Sequence, residues 1–162
     1  MAADRDSAGV SIPPPLIGVA VLLIGLGLDH FSPIGFVGAV VPRSWRAAIA
    51  TALVIFAAWP LARALIGFRR AGTPPEPWRT TTALVNRGIY SRTRNPIYQG
   101  FGLFVLGLAF AFASDWTFLL FPVGVLVMHF GVVRREERYL EAKFGDDYRN
   151  YKARVPRYGW PV

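Results

Sequence analysis

The stretch Asn86-Arg87-Gly88-Ile89-Tyr90-Ser91-Arg92-Thr93-Arg94-Asn95-Pro96-Ile97-Tyr98-Gln99-Gly100 marks where a polar, arginine-bearing chain turns into an apolar run. Pro96 pushes the residue before it toward an extended conformation. It also suits the first turn of a helix, where its missing N–H is no loss. A helix is therefore expected to start at Pro96, with Arg94, Asn95 and Tyr98 clustered at its mouth. The free N–H groups of a helix N-terminus lie beside them. Such a place can hold a carboxylate or a polar cofactor. It can equally anchor the chain, with arginines on lipid phosphates and tyrosines in the aromatic belt.

The surrounding sequence sets the fold. Downstream, the apolar run Ile97 to Ala113 is followed by Ser114-Asp115, either of which can cap a new helix. A second apolar run, Trp116 to Val133, comes next. Two apolar helices joined by so short a link predict an antiparallel hairpin. Upstream lie Leu16 to Leu28, preceded by Pro13-Pro14-Pro15, and Ala47 to Phe68, which Pro60 should kink. About 20 apolar residues cross a bilayer as a helix. The reading is an all-α, polytopic integral membrane protein with about four transmembrane helices. Phe31 to Pro42 and Gly72 to Pro77 read as irregular connections. The tail carries Leu140, Phe144, Tyr148, Tyr151 and Val155 on a 3.6-residue period, which predicts an amphipathic interfacial helix. Gly145 is expected to bend or divide it. One domain is expected over residues 1–162, with two N-terminal helices in 12–67 and a cofactor-binding and catalytic region in 68–157.

Composition agrees: 53% of residues are hydrophobic, 17% are charged, and the mean hydropathy is +0.35. The formal charge of +8 sits on residues that flank the apolar runs. Anionic lipid headgroups are thus the expected partners, and nucleic acid is not. The absence of cysteine excludes disulfides, thiolate metal sites and cysteine nucleophiles. Met1 to Ser11 lacks the basic start and cleavage site of a secretory signal, so it is expected to be retained. Arg69, Arg70, Arg79, Arg87, Arg92 and Arg94 lie between the second and third runs, and the tail is equally basic. The positive-inside rule then puts both termini and the polar stretches in the cytoplasm, at the inner membrane if the source is bacterial.

The hairpin brings the start of the third helix and the end of the fourth to one side of the membrane. Tyr90 to Gly100 is therefore expected to face His129 to Arg138. His129 and Glu136 are seven residues apart, two helical turns, and should share a face. Ionisable groups at membrane depth are expensive and often functional.

Taken together, Leu84-Val85-x-x-Gly88-x-Tyr90, Arg94-Asn95-Pro96-x-Tyr98-x-Gly100, Glu136-Glu137-Arg138-x-Leu140 and Phe144-Gly145-x-x-Tyr148-x-x-Tyr151-x-x-x-Val155-x-Arg157 resemble the isoprenylcysteine carboxyl methyltransferase family. That family is related to membrane phospholipid N-methyltransferases. Arg70-Ala71-Gly72-Thr73 fits its bacterial members, and the eukaryotic enzymes carry His where this chain has Asn95. The resemblance covers roughly Phe68 to Arg157 and implies S-adenosylmethionine as methyl donor. The cofactor-binding candidates it implies are Tyr90, Arg94, Asn95, Pro96, Tyr98, Gly100, His129, Glu136 and Glu137. Arg94 and Glu137 are the catalytic candidates, and Arg94 with Arg157 would meet the acceptor. No metal is implied.

The chemistry of the residues is compatible. Carboxylates can accept from ribose hydroxyls and an amino group, and an arginine suits the cofactor's own carboxylate. The expected acceptor is a membrane lipid, or a lipophilic or small carboxylate molecule entering between helices. The alternatives are a phospholipid N-methyltransferase, an NADPH-dependent membrane reductase with a similar cofactor region, and a non-catalytic scaffold.

Overall fold

A computed structural model describes residues 6–10 and 12–159, so the expectations for Met1 to Arg5 and for Ser11 lie outside the described residues. Among the described residues the regular structure is helical. It consists of α1 (Pro14–Phe31), a short α2 (Phe36–Val40), α3 (Arg43–Ala71), α4 (Pro96–Phe112), α5 (Asp115–Met128) and α6 (Arg134–Arg154). The connection Phe31 to Pro42, expected to be irregular, thus contains one short helix. α1, α3 and the continuous rod that begins at Asp115 are long and apolar enough to cross a membrane. α4, with 17 residues, is the shorter apolar helix. The chain is an integral membrane protein of the expected all-α class.

Local chemistry explains the helix ends. Gly72 stops α3 in a left-handed conformation, and its N–H returns to Arg69 O. Pro96 opens α4 directly after Asn95. Ser114 caps α5 by accepting from the Thr117 N–H at 3.2 Å. The Ser114 hydroxyl also donates to Asp29, and the Val37 N–H donates to the Asp115 carboxylate at 2.9 Å. These bonds fasten α1 and α2 to the tip of the α4–α5 hairpin.

The helices pair by small residues. Ala50, Ala57 and Ala64 form a buried seven-residue stripe on α3. Gly100 and Gly107 of α4 face it: a Cβ would lie 3.0 Å from Ala57 O and 3.2 Å from Ala50 O, respectively. Small residues allow the backbones this approach, and with no water to expel, close packing is what holds membrane helices together. α5 packs in the same way on α1, where a Cβ on Gly25 would collide with Thr117. The arms of the hairpin thus pair mainly with different partners, α4 with α3 and α5 with α1. A groove is left between them.

The tail departs from the expected single face. Gly145 adopts φ 53° and ψ −123°, a conformation that side chains resist, and the helix reverses there. Lys152 pairs with Glu141 and Arg157 with Glu137, mirror pairs about the turn. Tyr148, Tyr151 and Val155 therefore fold inward onto Leu84, Leu140 and Phe144. The apolar face is covered by protein.

Candidate active site

The polar stretch is a partition. Ile89, Arg92 and Thr93 line a groove of about 440 Å³ between α1, α3, α4 and α5. Tyr90, Arg94, Asn95 and Ile97 line a separate cavity of about 100 Å³, closed by the 74–85 loop and α6. Tyr98 lines both. The groove is almost wholly apolar, with Gln99, Arg92 and Tyr158 at its polar end. The cavity holds Glu136, Tyr139, Tyr148 and Tyr151.

A turn of π-helix, His129–Val133, joins α5 to α6. Such a turn takes up an extra residue and resets the phase of whatever follows. Glu136 accordingly reaches Tyr98, whose hydroxyl donates to Oε1 at 2.6 Å. His129 points elsewhere, with Nδ1 3.0 Å from the Tyr158 hydroxyl. The seven-residue spacing from His129 to Glu136 spans that turn, so a count that assumes a regular helix does not apply. His129 lines neither cavity.

Glu137 is enclosed by arginines. Arg157 donates to it as a fork, Nε to Oε1 at 2.9 Å and Nη2 to Oε2 at 2.6 Å. Arg94 Nη1 lies 2.7 Å from Oε1, with both side chains about nine-tenths buried. That last contact is a charge pair without hydrogen-bond alignment. Among the described residues, Arg94 Nε and Nη1 find no hydrogen-bond acceptor. Nη1 still has the Glu137 charge beside it, so Nε is the buried donor on the cavity wall left to seek an acceptor. The neighbouring Glu137 hydrogen bond raises the Arg157 pKa above its ordinary value.

The other candidates have structural surroundings. Asn95 is buried, and its side-chain N–H donates to Arg157 O at 3.1 Å. The Arg94 N–H donates to Pro156 O at 3.0 Å. Together these bonds lock Pro156 and Arg157 onto the partition. Tyr90 packs edge-on against Phe68, and its carbonyl accepts from the Tyr151 hydroxyl at 2.7 Å. Burial first, then Tyr151 and Glu136, push its phenol up. Pro96 is the first residue of α4, and Gly100 faces α3. The structure thus brings Arg94, Tyr98 and Glu136 together around one cavity, sets Glu137 and Arg157 behind Arg94, and leaves His129 outside. Sequence reasoning missed Tyr139 and took Tyr148 and Tyr151 for the face of a surface helix. The signal available was the mirrored charge pattern around Gly145, Glu137 with Arg157 and Glu141 with Lys152, which marks a hairpin.

Comparison with known proteins bears on the family. No solved structure matches the chain. The protein-S-isoprenylcysteine O-methyltransferase of Schizosaccharomyces pombe is 36% identical over 73 residues, 45% of this chain and 31% of that protein. The chain therefore spans about a third of that relative's length. An uncharacterized protein of Haemophilus influenzae is 36% identical over 62 residues, 38% of this chain and 98% of its own length. The family model for phospholipid methyltransferases matches residues 45–147, from α3 through both cavities to the Gly145 hairpin, and so the chain belongs to the phospholipid methyltransferase family.

Proposed function

We propose that this protein transfers a methyl group from S-adenosylmethionine, held on the water side, to a lipophilic acceptor lying in the groove between the helices. The observation that carries this reading is Tyr98, the wall common to the polar cavity and the apolar groove. A donor that arrives from water and an acceptor that arrives from lipid would meet at the edge of this side chain, where the acceptor oxygen can reach the methyl in line and S-adenosylhomocysteine leaves on the water side. The groove draws walls from both 12–67 and 68–157, which favours a single domain over 1–162. The arginine distribution supports a cytoplasmic cavity with both termini on the same side. The basic flanks would rest on anionic headgroups.

The residues fit the cofactor. Arg94, whose Nε has no hydrogen-bond acceptor among the described residues, suits its carboxylate. Glu136 can accept from its amino or hydroxyl groups, and Tyr90 and Tyr148 offer apolar ring faces. When bound, the cofactor supplies an electrophilic methyl on a sulfonium. Glu137 and Arg157 hold Arg94 in place, and Tyr98 fixes Glu136. Alignment of this kind is the main need of methyl transfer.

The acceptor group is a carboxylate in this account. It is already ionised at neutral pH and needs no base. Among the described residues lining the groove there is no Asp, Glu, His or Lys, and the one charged side chain is Arg92. The family match and the Tyr98–Glu136 hydrogen bond favour a second reading, an amine-bearing lipid losing its proton toward Glu136. Membranes containing the protein are incubated with methyl-labelled S-adenosylmethionine, and the lipid extract is treated with mild alkali. Label released as methanol is the expected result. Alkali-stable label would mean N-methylation, and absence of protein-dependent label would reject methyl transfer.

A further inference from the structure

The polar cavity is closed on one side by chain that is remote in sequence. Ala8 lines it, and the Ala8 N–H donates to Pro77 O at 3.2 Å. Three side chains of α6 grip the same segment. Arg135 Nη1 donates to Gly9 O at 3.1 Å, the Tyr139 hydroxyl to Asp6 O at 2.9 Å, and Lys143 Nζ to the Asp6 carboxylate at 2.6 Å. Positions 135, 139 and 143 are spaced by four, so they form a row along one helix face. Tyr139 also accepts from the Thr81 N–H at 3.1 Å, which ties this row to the loop across the cavity. Residues 6–10 are thus a strap laid between two walls. Gly9 turns it at φ +62°, and Val10 is buried just beyond.

The strap is the weakest wall. The cavity beneath it, at about 100 Å³, is smaller than the roughly 300 Å³ at which ligand sites begin. Some wall must therefore yield to admit a cofactor. Tyr148 and Tyr151, on the α6 side, are buried in a packed cluster. At its outer part the strap is held by polar contacts at the exposed Asp6 and Gly9 and by the Ala8 backbone bond, and Val10 at its far end is its one buried apolar side chain. Exposed ion pairs hold loosely and are screened by salt. Segments with few buried apolar contacts open first.

The geometry points to residues 6–10 as a cover that opens and closes the polar cavity, latched by Asp6 and Lys143 against α6. That the cargo is S-adenosylmethionine rests on the function proposed above; the opening itself does not. Two readouts keep these apart. The chain has no cysteine, so Ala83→Cys places a single thiol on the cavity wall. Its reaction with a water-soluble maleimide reports opening without any ligand. Adding Lys143→Glu, which puts like charges at the latch, should speed labelling about fivefold. The exchanged pair Asp6→Lys with Lys143→Asp should bring the rate back. Labelling unchanged by Lys143→Glu, or accelerated equally by the exchanged pair, would overturn the cover. Stopped-flow binding of S-adenosylhomocysteine forms the second readout. Lys143→Glu should raise association and dissociation rates together and leave the affinity nearly constant. A changed affinity at unchanged association rate would overturn the gating role. Failure of the unaltered protein to bind the probe would instead count against the proposed function, with the labelling result standing by itself.

Discussion

Glu137→Gln isolates the electrostatic support behind Arg94. Glu137 is the anion common to two guanidinium groups, with Arg94 at 2.7 Å and Arg157 forked onto both oxygens. Glutamine keeps the shape, removes the charge, and turns an N–H₂ toward cations. The Arg94 half is buried on both sides, and breaking such a pair costs about 3 kcal/mol because a buried cation is left uncompensated. The Arg157 half is a third exposed and adds under about 1 kcal/mol. The expected destabilisation is therefore about 3–4 kcal/mol. Arg157→Gln alone should lose under about 1 kcal/mol. Reversible unfolding in mixed micelles, followed by tryptophan fluorescence, measures both, and the double variant gives their coupling. If Glu137→Gln unfolds within about 0.5 kcal/mol of the unaltered protein while cofactor affinity falls, the reasoning fails. Glu137 would then act on the ligand itself.

Gly100→Ala should destabilise by about 1–3 kcal/mol, because its Cβ meets the Ala57 carbonyl at 3.0 Å; Gly27→Ala, which meets nothing within 4 Å, should be neutral or stabilising in the same assay. Gly145→Ala should cost about 1–3 kcal/mol and loosen the tail hairpin, seen as faster hydrogen exchange at Tyr148 and Tyr151. Tyr98→Phe deletes the bond to Glu136 and should slow methyl transfer by up to about a hundredfold while the helices stay folded by circular dichroism.

Much of this arrangement was readable from residue order. The apolar runs gave the helices, Pro96 and Ser114 gave the starts of α4 and α5, and the short Ser114 turn brought the partition and Glu136 to one end. What escaped was set by backbone features that carry no apolar period. The π turn at His129–Val133 resets the helix phase, so the seven-residue spacing misplaced His129. The reversal at Gly145 makes one helical stripe into two facing walls. The strap depends on single long-range hydrogen bonds, which no local pattern announces. The groove arises because the hairpin arms choose different partners, a consequence of the Ala50, Ala57 and Gly107 seam rather than of either arm alone.

On the proposed function, the cavity walled by Arg94, Tyr98 and Glu136 holds S-adenosylmethionine. Calorimetric titration of the purified protein with S-adenosylhomocysteine tests it most directly, alongside Glu136→Ala and Arg94→Ala in the same detergent. The expected result is saturable one-site binding to the unaltered protein, weakened at least tenfold in each variant by loss of a charge-assisted hydrogen bond. No binding to the unaltered protein, or equal affinity in all three, would contradict it.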